Sequence, residues 1–313
     1  MQIVFALVAL VVGFVLLVKG ADWFVEGSAG IANKFGIPQI VIGLTIVAMG
    51  TSMPEAAVSI SAALRGSAEI TIGNVVGSNI MNILVILGLT AVVCQIAVQK
   101  TTIHYEIPMV IGVTILLAVM GLQNNIISRA EGVILLACMV VYMLYLLRLA
   151  KRGVVENEEM DAYAKQVSFG RLILLVVVGV AAIIFGSHVA VEAASAIARI
   201  FGISERFIGL TIVAFGTSLP ELVTSVAAAR RGNSDIAVGN IVGSNLFNIM
   251  FVVGITAVIV PVVYQPTFRV DSIVAVAAVL LLVCVYRGRV LKRRHGLLML
   301  ACYGGYFAYL LLA

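Results

Sequence analysis

Charge is scarce in this 313-residue chain: only 11% of residues are Asp, Glu, Lys or Arg, and aromatics make up 7%, with a single Trp. A soluble domain carries about a quarter charged residues and is about half apolar; here 62% of residues are hydrophobic. That excludes a soluble globular fold and implies a polytopic membrane protein. The four cysteines, Cys94, Cys138, Cys284 and Cys302, lie singly in apolar stretches without CxxC spacing or a nearby histidine. They are expected to be small packing residues rather than disulfide partners or metal ligands. His104, His188 and His295 form no constellation, and the chain lacks a serine–histidine pair, an HExxH or a paired-aspartate motif. An intramembrane enzyme is therefore not expected, and no cofactor is implied. The net charge of +5 comes from residues scattered through short loops, which gives no patch for nucleic acid. The first apolar segment, Gln2 to Val18, has no basic start and no A-x-A site, so it reads as a retained helix.

Apolar runs long enough to span a bilayer recur along the chain. They predict ten spans, at 2–18, 38–64, 70–96, 104–122, 128–147, 170–197, 205–229, 235–262, 270–286 and 296–313. The clearly polar stretch from Lys151 to Val167, KRGVVENEEMDAYAKQV, marks an aqueous connector and leaves no room for a separate soluble domain.

The halves on either side of it are copies. Sliding the chain by 166 positions aligns FGIPQIVIGLTIVAMGTSMPE (Phe35 to Glu55) with FGISERFIGLTIVAFGTSLPE (Phe201 to Glu221), and IGNVVGSNIMNI (Ile72 to Ile83) with VGNIVGSNLFNI (Val238 to Ile249). Five predicted spans separate each position from its counterpart, and an odd number forces the copies to cross the membrane in opposite senses. The expected fold is all-α and integral to the membrane, with ten transmembrane helices as two inverted five-helix repeats. Residues 1–150 form the first repeat, 151–168 the connector and 169–313 the second. With the N-terminus outside, fifteen of the 20 Lys and Arg fall in inner loops, and only Arg65, Arg129, Arg199, Arg206 and Arg269 fall outside. The positive-inside rule thus predicts a multi-pass protein of the cell or inner membrane, with both termini extracellular or periplasmic and the connector cytoplasmic.

Glu55 and Glu221 close the two GTSxPE copies. A carboxylate in hydrocarbon costs roughly 2.5–3.5 kcal/mol on insertion scales, so a matched pair points to function. Pro54 and Pro220 lack an N–H, which is expected to kink each helix and free carbonyls at Ala48 to Gly50 and Ala214 to Gly216. Thr51 with Glu55, and Thr217 with Glu221, share a face at i, i+4 spacing, beside Ser52 and Ser218. In the next span Ser78 with Asn82, and Ser244 with Asn248, repeat that spacing. All these donors are hard oxygens, which suit Na⁺, Ca²⁺ or Mg²⁺. Two carboxylates supply two negative charges, balanced by one Ca²⁺ or by a pair of Na⁺, and shared ligands make the two cargoes exclude each other. Gly73, Gly77, Gly239 and Gly243 are expected to allow close helix packing. Asp22, Glu26, Glu106 and Glu192 are expected to be solvated near span ends, and Trp23 to anchor an interface.

The GTSxPE and GNxxGSNxxN pair, present once in each half, resembles the alpha repeats of sodium/calcium exchangers in the calcium/cation antiporter superfamily. The likeness is to a short prokaryotic member without a regulatory domain. It implies a ten-helix antiporter exchanging extracellular Na⁺ for cytosolic Ca²⁺ by alternating access. It also implies a ligand set of Thr51, Ser52, Glu55, Ser78 and Asn82 with Thr217, Ser218, Glu221, Ser244 and Asn248, plus the carbonyls of Ala48 and Ala214. Some exchangers carry aspartate where this chain has Asn248, which leaves stoichiometry and K⁺ dependence open. Alternatives are a proton/calcium antiporter using the same carboxylates, and a cation channel, which would need a continuous pore. The sequence does not give the oligomeric state.

Overall fold

The computed structural model describes residues 2–68, 70–151, 167–202, 214–285 and 289–312. Most of the expected 151–168 connector lies outside the described residues, as do 203–213 and the topology residues Arg152, Lys165, Arg206 and Arg287. Helix α1 is Gln2–Phe35. Helix α2 (Gln39–Thr51) meets α3 (Met53–Leu64) at a 46° bend. Then come α4 (Ile70–Val93), α5 (Thr102–Asn124), α6 (Arg129–Ala150) and α7 (Phe169–Ile200). The short α8 (Ala214–Thr217) precedes α9 (Leu219–Arg230). Helices α10 (Ser234–Ile259), α11 (Phe268–Val285) and α12 (Arg293–Leu312) complete the chain. Among the described residues, seven helices are long and apolar enough to cross a membrane, or eight when the bent α2–α3 pair counts as one span.

The first span departs from the 2–18 expectation. Helix α1 has 34 residues, about 51 Å at 1.5 Å per residue, against a hydrocarbon core of about 30 Å. Lys19, Asp22 and Glu26 therefore sit within the helix. It continues past them because Ala21, Phe24, Val25, Ala29 and Ala32 are buried against the rest of the protein, so packing replaces lipid as the apolar partner.

Helix α1 runs against α7 with backbones nearly touching. A Cβ on Gly13 would lie 2.9 Å from the Gly186 carbonyl, and one on Gly186 the same distance from the Gly13 carbonyl; Gly20 and Gly179 repeat the exchange, also at 2.9 Å. Only glycine permits this approach. Helices α4 and α10 form the centre, where Ile72, Ile80, Ile83, Ile86, Leu246 and Val252 are buried. Apolar residues surround both helices as a fully enclosed helix requires, interrupted by buried Ser78, Asn79 and Asn82 on α4 and Asn240, Ser244, Asn245 and Asn248 on α10. Exposed Val4, Phe5, Val11, Val140 and Leu312 make α1, α6 and α12 the outer surface. Gly239 and Gly243 do pack as expected: a Cβ on either would fall within 2.9 Å of Gly43 or Leu44 backbone atoms. A Cβ on Gly73 would lie 3.4 Å from the Phe268 ring, an ordinary contact, and one on Gly77 would meet nothing within 4 Å among the described residues, so neither makes a close backbone approach there. Cys94 and Cys138 are half-buried, but Cys284 and Cys302 lie on exposed helix faces, where lipid-facing rather than packing positions accept a small apolar residue.

Two miniature ladders tie the loops together. β1 (Ile96–Ala97) pairs antiparallel with β4 (Val290–Leu291), Ile96 opposite Leu291. β2 (Ile126–Ile127) pairs with β3 (Val262–Val263), Ile126 opposite Val263. Each joins a loop from the first half of the chain to one from the second.

Candidate functional site

The α2–α3 junction forms because Pro54, in the first turn of α3, cannot donate backward and Ser52 leaves helical geometry at φ −85°, ψ 7°. Ser218 adopts nearly the same angles before Pro220, at φ −91°, ψ 1°. Glu55 and Glu221 thereby open the first turns of α3 and α9, where the positive end of a helix dipole favours a carboxylate. Both are buried, at 1% and 0% exposure. They stand close enough for the charge of Glu221 to act on Glu55.

Hydroxyls from both halves of the chain surround them. Ser52 Oγ donates to Glu221 Oε1 at 2.8 Å, with Thr51 and Ser244 also within range of Glu221. Thr217 and Ser78 face Glu55. Thr51 Oγ1 lies 2.9 Å from Asn240 Oδ1 and 3.3 Å from the Ala48 carbonyl; one hydroxyl proton serves one acceptor at a time, so the shorter contact dominates. Thus ten of the expected side chains, Thr51, Ser52, Glu55, Ser78, Asn82, Thr217, Ser218, Glu221, Ser244 and Asn248, come from the two breaks and the helices packed beside them. Ala214 begins α8.

One expectation fails at Ala48. Its carbonyl was expected to be freed by the kink, yet it accepts the Ser52 N–H at 3.1 Å and lies 3.4 Å from Ser244 Oγ. The helix closes one last turn before breaking, and only a remaining lone pair is left for a ligand. On the other side, the Gly216 carbonyl accepts Ser187 Oγ at 2.8 Å, so α7 takes up that freed acceptor.

Four asparagines outside the expected set organise the site. Asn240 Nδ2 donates to the Glu221 carbonyl at 3.2 Å and to Ser225 Oγ at 2.9 Å; Asn74 Nδ2 does the same to the Glu55 carbonyl at 3.1 Å and Ser59 Oγ at 2.9 Å. Asn79 and Asn245 donate to each other's backbone carbonyls at 3.2 and 3.3 Å. That commits their Nδ2 groups and leaves their Oδ1 atoms as acceptors, which take Asn248 Nδ2 at 3.1 Å and Asn82 Nδ2 at 2.9 Å. Asn82 and Asn248 are consequently held with their oxygens unspent. Each also begins a π-helical turn, Asn82–Leu87 and Asn248–Val253, a distortion common at functional sites. The GNxxGSN letters carried this signal, since an amide repeated in register inside an apolar helix needs a partner.

The result is a set of buried oxygens without donors. Glu55 Oε2, Glu221 Oε2, Asn82 Oδ1, Asn248 Oδ1 and Ser218 Oγ have no hydrogen-bond partner among the described residues. Unpaired buried acceptors of one kind are costly unless a cation completes them. Their chemistry, carboxylate, amide and hydroxyl oxygen, fits Na⁺ or Ca²⁺.

Glu106 also departs from expectation. It is fully buried rather than solvated, and the Tyr145 hydroxyl donates to its Oε1. Asp22 and Glu26 instead share Arg231, each at 3.4 Å, and remain partly exposed.

The model of the sodium/calcium exchanger protein family matches residues 5–148 and 171–312. CaxA of Alkalimonas amylolytica is 39% identical over 310 residues, covering 96% of this chain and 97% of its own. The sodium/calcium exchanger MaX1 of Methanosarcina acetivorans is 31% identical, covering 94% and 95%. The solved sodium-calcium exchanger NCX_Mj superposes with a TM-score of 0.84 at 33% identity, covering 98% of this chain and 99% of its own. NCX_Mj has been studied for extracellular ion exchange and binding-site occlusion with Na⁺, Ca²⁺ and Sr²⁺ varied. Matched by the family model over 5–148 and 171–312, the chain belongs to the sodium/calcium exchanger family of multi-pass membrane transporters.

Proposed function

We propose that this protein exchanges Na⁺ for Ca²⁺ by alternating access at a midplane site built from Glu55 and Glu221. The observation that carries the reading is the set of five buried donor-free oxygens, drawn from both halves of the chain around two adjacent carboxylates. One Ca²⁺, or a pair of Na⁺, balances the charge of two carboxylates in a low-dielectric site. The same ligands serve both, so loading one ion expels the other, and coupling follows. Ser52, Ser78, Ser218 and Ser244 supply neutral oxygens, with Thr51 and Thr217 beside them. A further Na⁺ on these neutral groups would make the cycle carry net charge, worth about 2.3 kcal/mol per charge per 100 mV.

Two inverted five-helix repeats, 1–150 and 169–313, with ten spans and a cytoplasmic connector at 151–168, form the scaffold in this reading. Reciprocal contacts support it: Asn79 pairs with its own counterpart Asn245, while exchanging the two halves turns the Gly13–Gly186 contact into Gly20–Gly179 and the β1–β4 ladder into β2–β3. Such isologous exchange is what a two-fold relation produces. Alternating access supplies a reason for one asymmetry between the half-sites. Ser52 reaches Glu221, whereas its counterpart Ser218 has no partner among the described residues, as expected when a symmetric pair of half-sites is caught in one of two states.

Ca²⁺ flux into proteoliposomes under separate Na⁺, H⁺ and K⁺ gradients tests the proposal. Uptake driven by an outward Na⁺ gradient, and insensitive to collapse of the pH gradient, is expected. Uptake that follows only the proton gradient would favour a proton/calcium antiporter instead.

A further inference from the structure

We propose that Glu106 is a proton-binding site, separate from the Glu55–Glu221 centre, lodged between α5 and α6. The side chain is fully buried one turn into α5. Tyr145 on α6 donates to Oε1, while Oε2 has no hydrogen-bond partner among the described residues. Beside it, Thr102 Oγ1 is likewise buried and without a partner among them, although close enough to interact with the carboxyl.

No Lys, Arg or His forms an ion pair with Glu106 among the described residues. The groups facing it from α6 are Tyr142 and Tyr145, with exposed Arg148 a turn beyond. On its own segment lie Lys100, His104 and Tyr105, and the His104 ring is engaged by the Lys100 carbonyl at 2.7 Å. From α10 the nearest acid is Asp235, bound by Gln99 at the start of the same segment. From α2 comes only the Leu44 carbonyl, 3.4 Å from Tyr142 Oη.

An ionised carboxylate in that setting has no ion-pair partner among the described residues, which is costly in a membrane interior. A metal ion would need about six oxygens, and the side chains here supply the carboxyl, one threonine hydroxyl and one tyrosine hydroxyl. A single proton removes the charge. On Oε2 it donates to Thr102 Oγ1, while Oε1 continues to accept from Tyr145, so both orphaned atoms acquire a partner at once. The comparable acid–tyrosine pair between α11 and α12, Asp271 with Tyr306 at 2.8 Å, is half-exposed and can be hydrated; burial singles out Glu106. Through Tyr142, one turn before Tyr145, the site touches the π-helical turn Gly43–Val47 of α2 that leads into Ala48 and Thr51.

Infrared difference spectra of the purified full-length protein against Glu106→Gln test this without any flux measurement, so the outcome is independent of the transport reading. At neutral pH the difference should contain one protonated-carboxyl C=O band, unaffected by Na⁺. Tyr145→Phe should retain that band and move it to higher frequency, because a hydrogen bond to Oε1 is lost. In liposomes, Glu106→Gln should lose one proton-dependent step from the pH profile of Ca²⁺ uptake while keeping its Na⁺ dependence. A difference spectrum showing only carboxylate bands at neutral pH, or a C=O band that disappears on adding Na⁺, overturns the proposal. Should Glu106→Gln not fold, the Tyr145→Phe shift decides alone: an unmoved spectrum rejects it.

Discussion

Asn240→Ala should damage the protein more than Asn74→Ala, although the two asparagines occupy equivalent places in the motif. Asn240 is completely buried and makes three hydrogen bonds, with Thr51 Oγ1, the Glu221 carbonyl and Ser225 Oγ. Asn74 is half-buried, and its Nδ2 donates two, to the Glu55 carbonyl and Ser59 Oγ. At about 0.5–1.5 kcal/mol net per bond, the three bonds of Asn240 are worth roughly 1.5–4.5 kcal/mol and the two that Asn74 donates roughly 1–3 kcal/mol. The gap widens because partners abandoned in a sealed interior stay unsatisfied, whereas water can reach a half-buried one. Unfolding of a membrane protein in detergent is commonly irreversible, so apparent Tm at one fixed scan rate is the proper comparison. Asn240→Ala should melt several degrees below Asn74→Ala, and both below the parent protein. Apparent Ca²⁺ affinity should fall in the same order, since Thr51 loses the group that orients it; each 1.4 kcal/mol costs about tenfold. Equal melting temperatures, or a larger effect at Asn74, would refute the assignment of Asn240 as the support of the Glu221 break.

Gly179→Ala should lower stability or slow exchange, because its Cβ would fall 2.6 Å from the Phe24 nitrogen, a backbone atom that cannot yield; Gly112→Ala, in open space on α5, should leave both unchanged. Asn248→Asp should give Ca²⁺ uptake a stronger pH or K⁺ dependence by placing a third ionisable group in the carboxylate cluster, while the parent protein should need no K⁺; parallel uptake assays with and without K⁺ at several pH values check this. A cysteine in place of Asn124 should react with an impermeant thiol reagent in intact cells, and one in place of Val155 should not, if the positive-inside assignment of the connector holds.

The motif residues were readable from the chain because polar letters in an apolar helix are expensive and their repetition at one offset exposes them. Nothing in local sequence told Glu106 from a solvated end residue, since its burial depends on Tyr145, 39 positions away on another helix. The length of α1 was hidden for a related reason. Lys19 looks like the end of a lipid-facing run, and only the buried face from Ala21 to Ala32 shows the helix continuing against protein. The state of the Ala48 carbonyl was likewise not accessible: proline predicts a break but not which turn closes last. Asn79 and Asn245 were visible as letters, but their reciprocal pairing required the two halves to be brought face to face.

The most direct test of the two-carboxylate site is equilibrium binding of radiolabelled Ca²⁺ to the purified protein, with Na⁺ as competitor. A single Ca²⁺ per chain is predicted, displaced by Na⁺ with a steeper than one-to-one dependence. Glu55→Gln or Glu221→Gln should each weaken Ca²⁺ binding by more than about tenfold, a loss above 1.4 kcal/mol, while the protein remains folded. Ca²⁺ binding that survives intact in both variants, or that Na⁺ does not displace, would contradict the shared site.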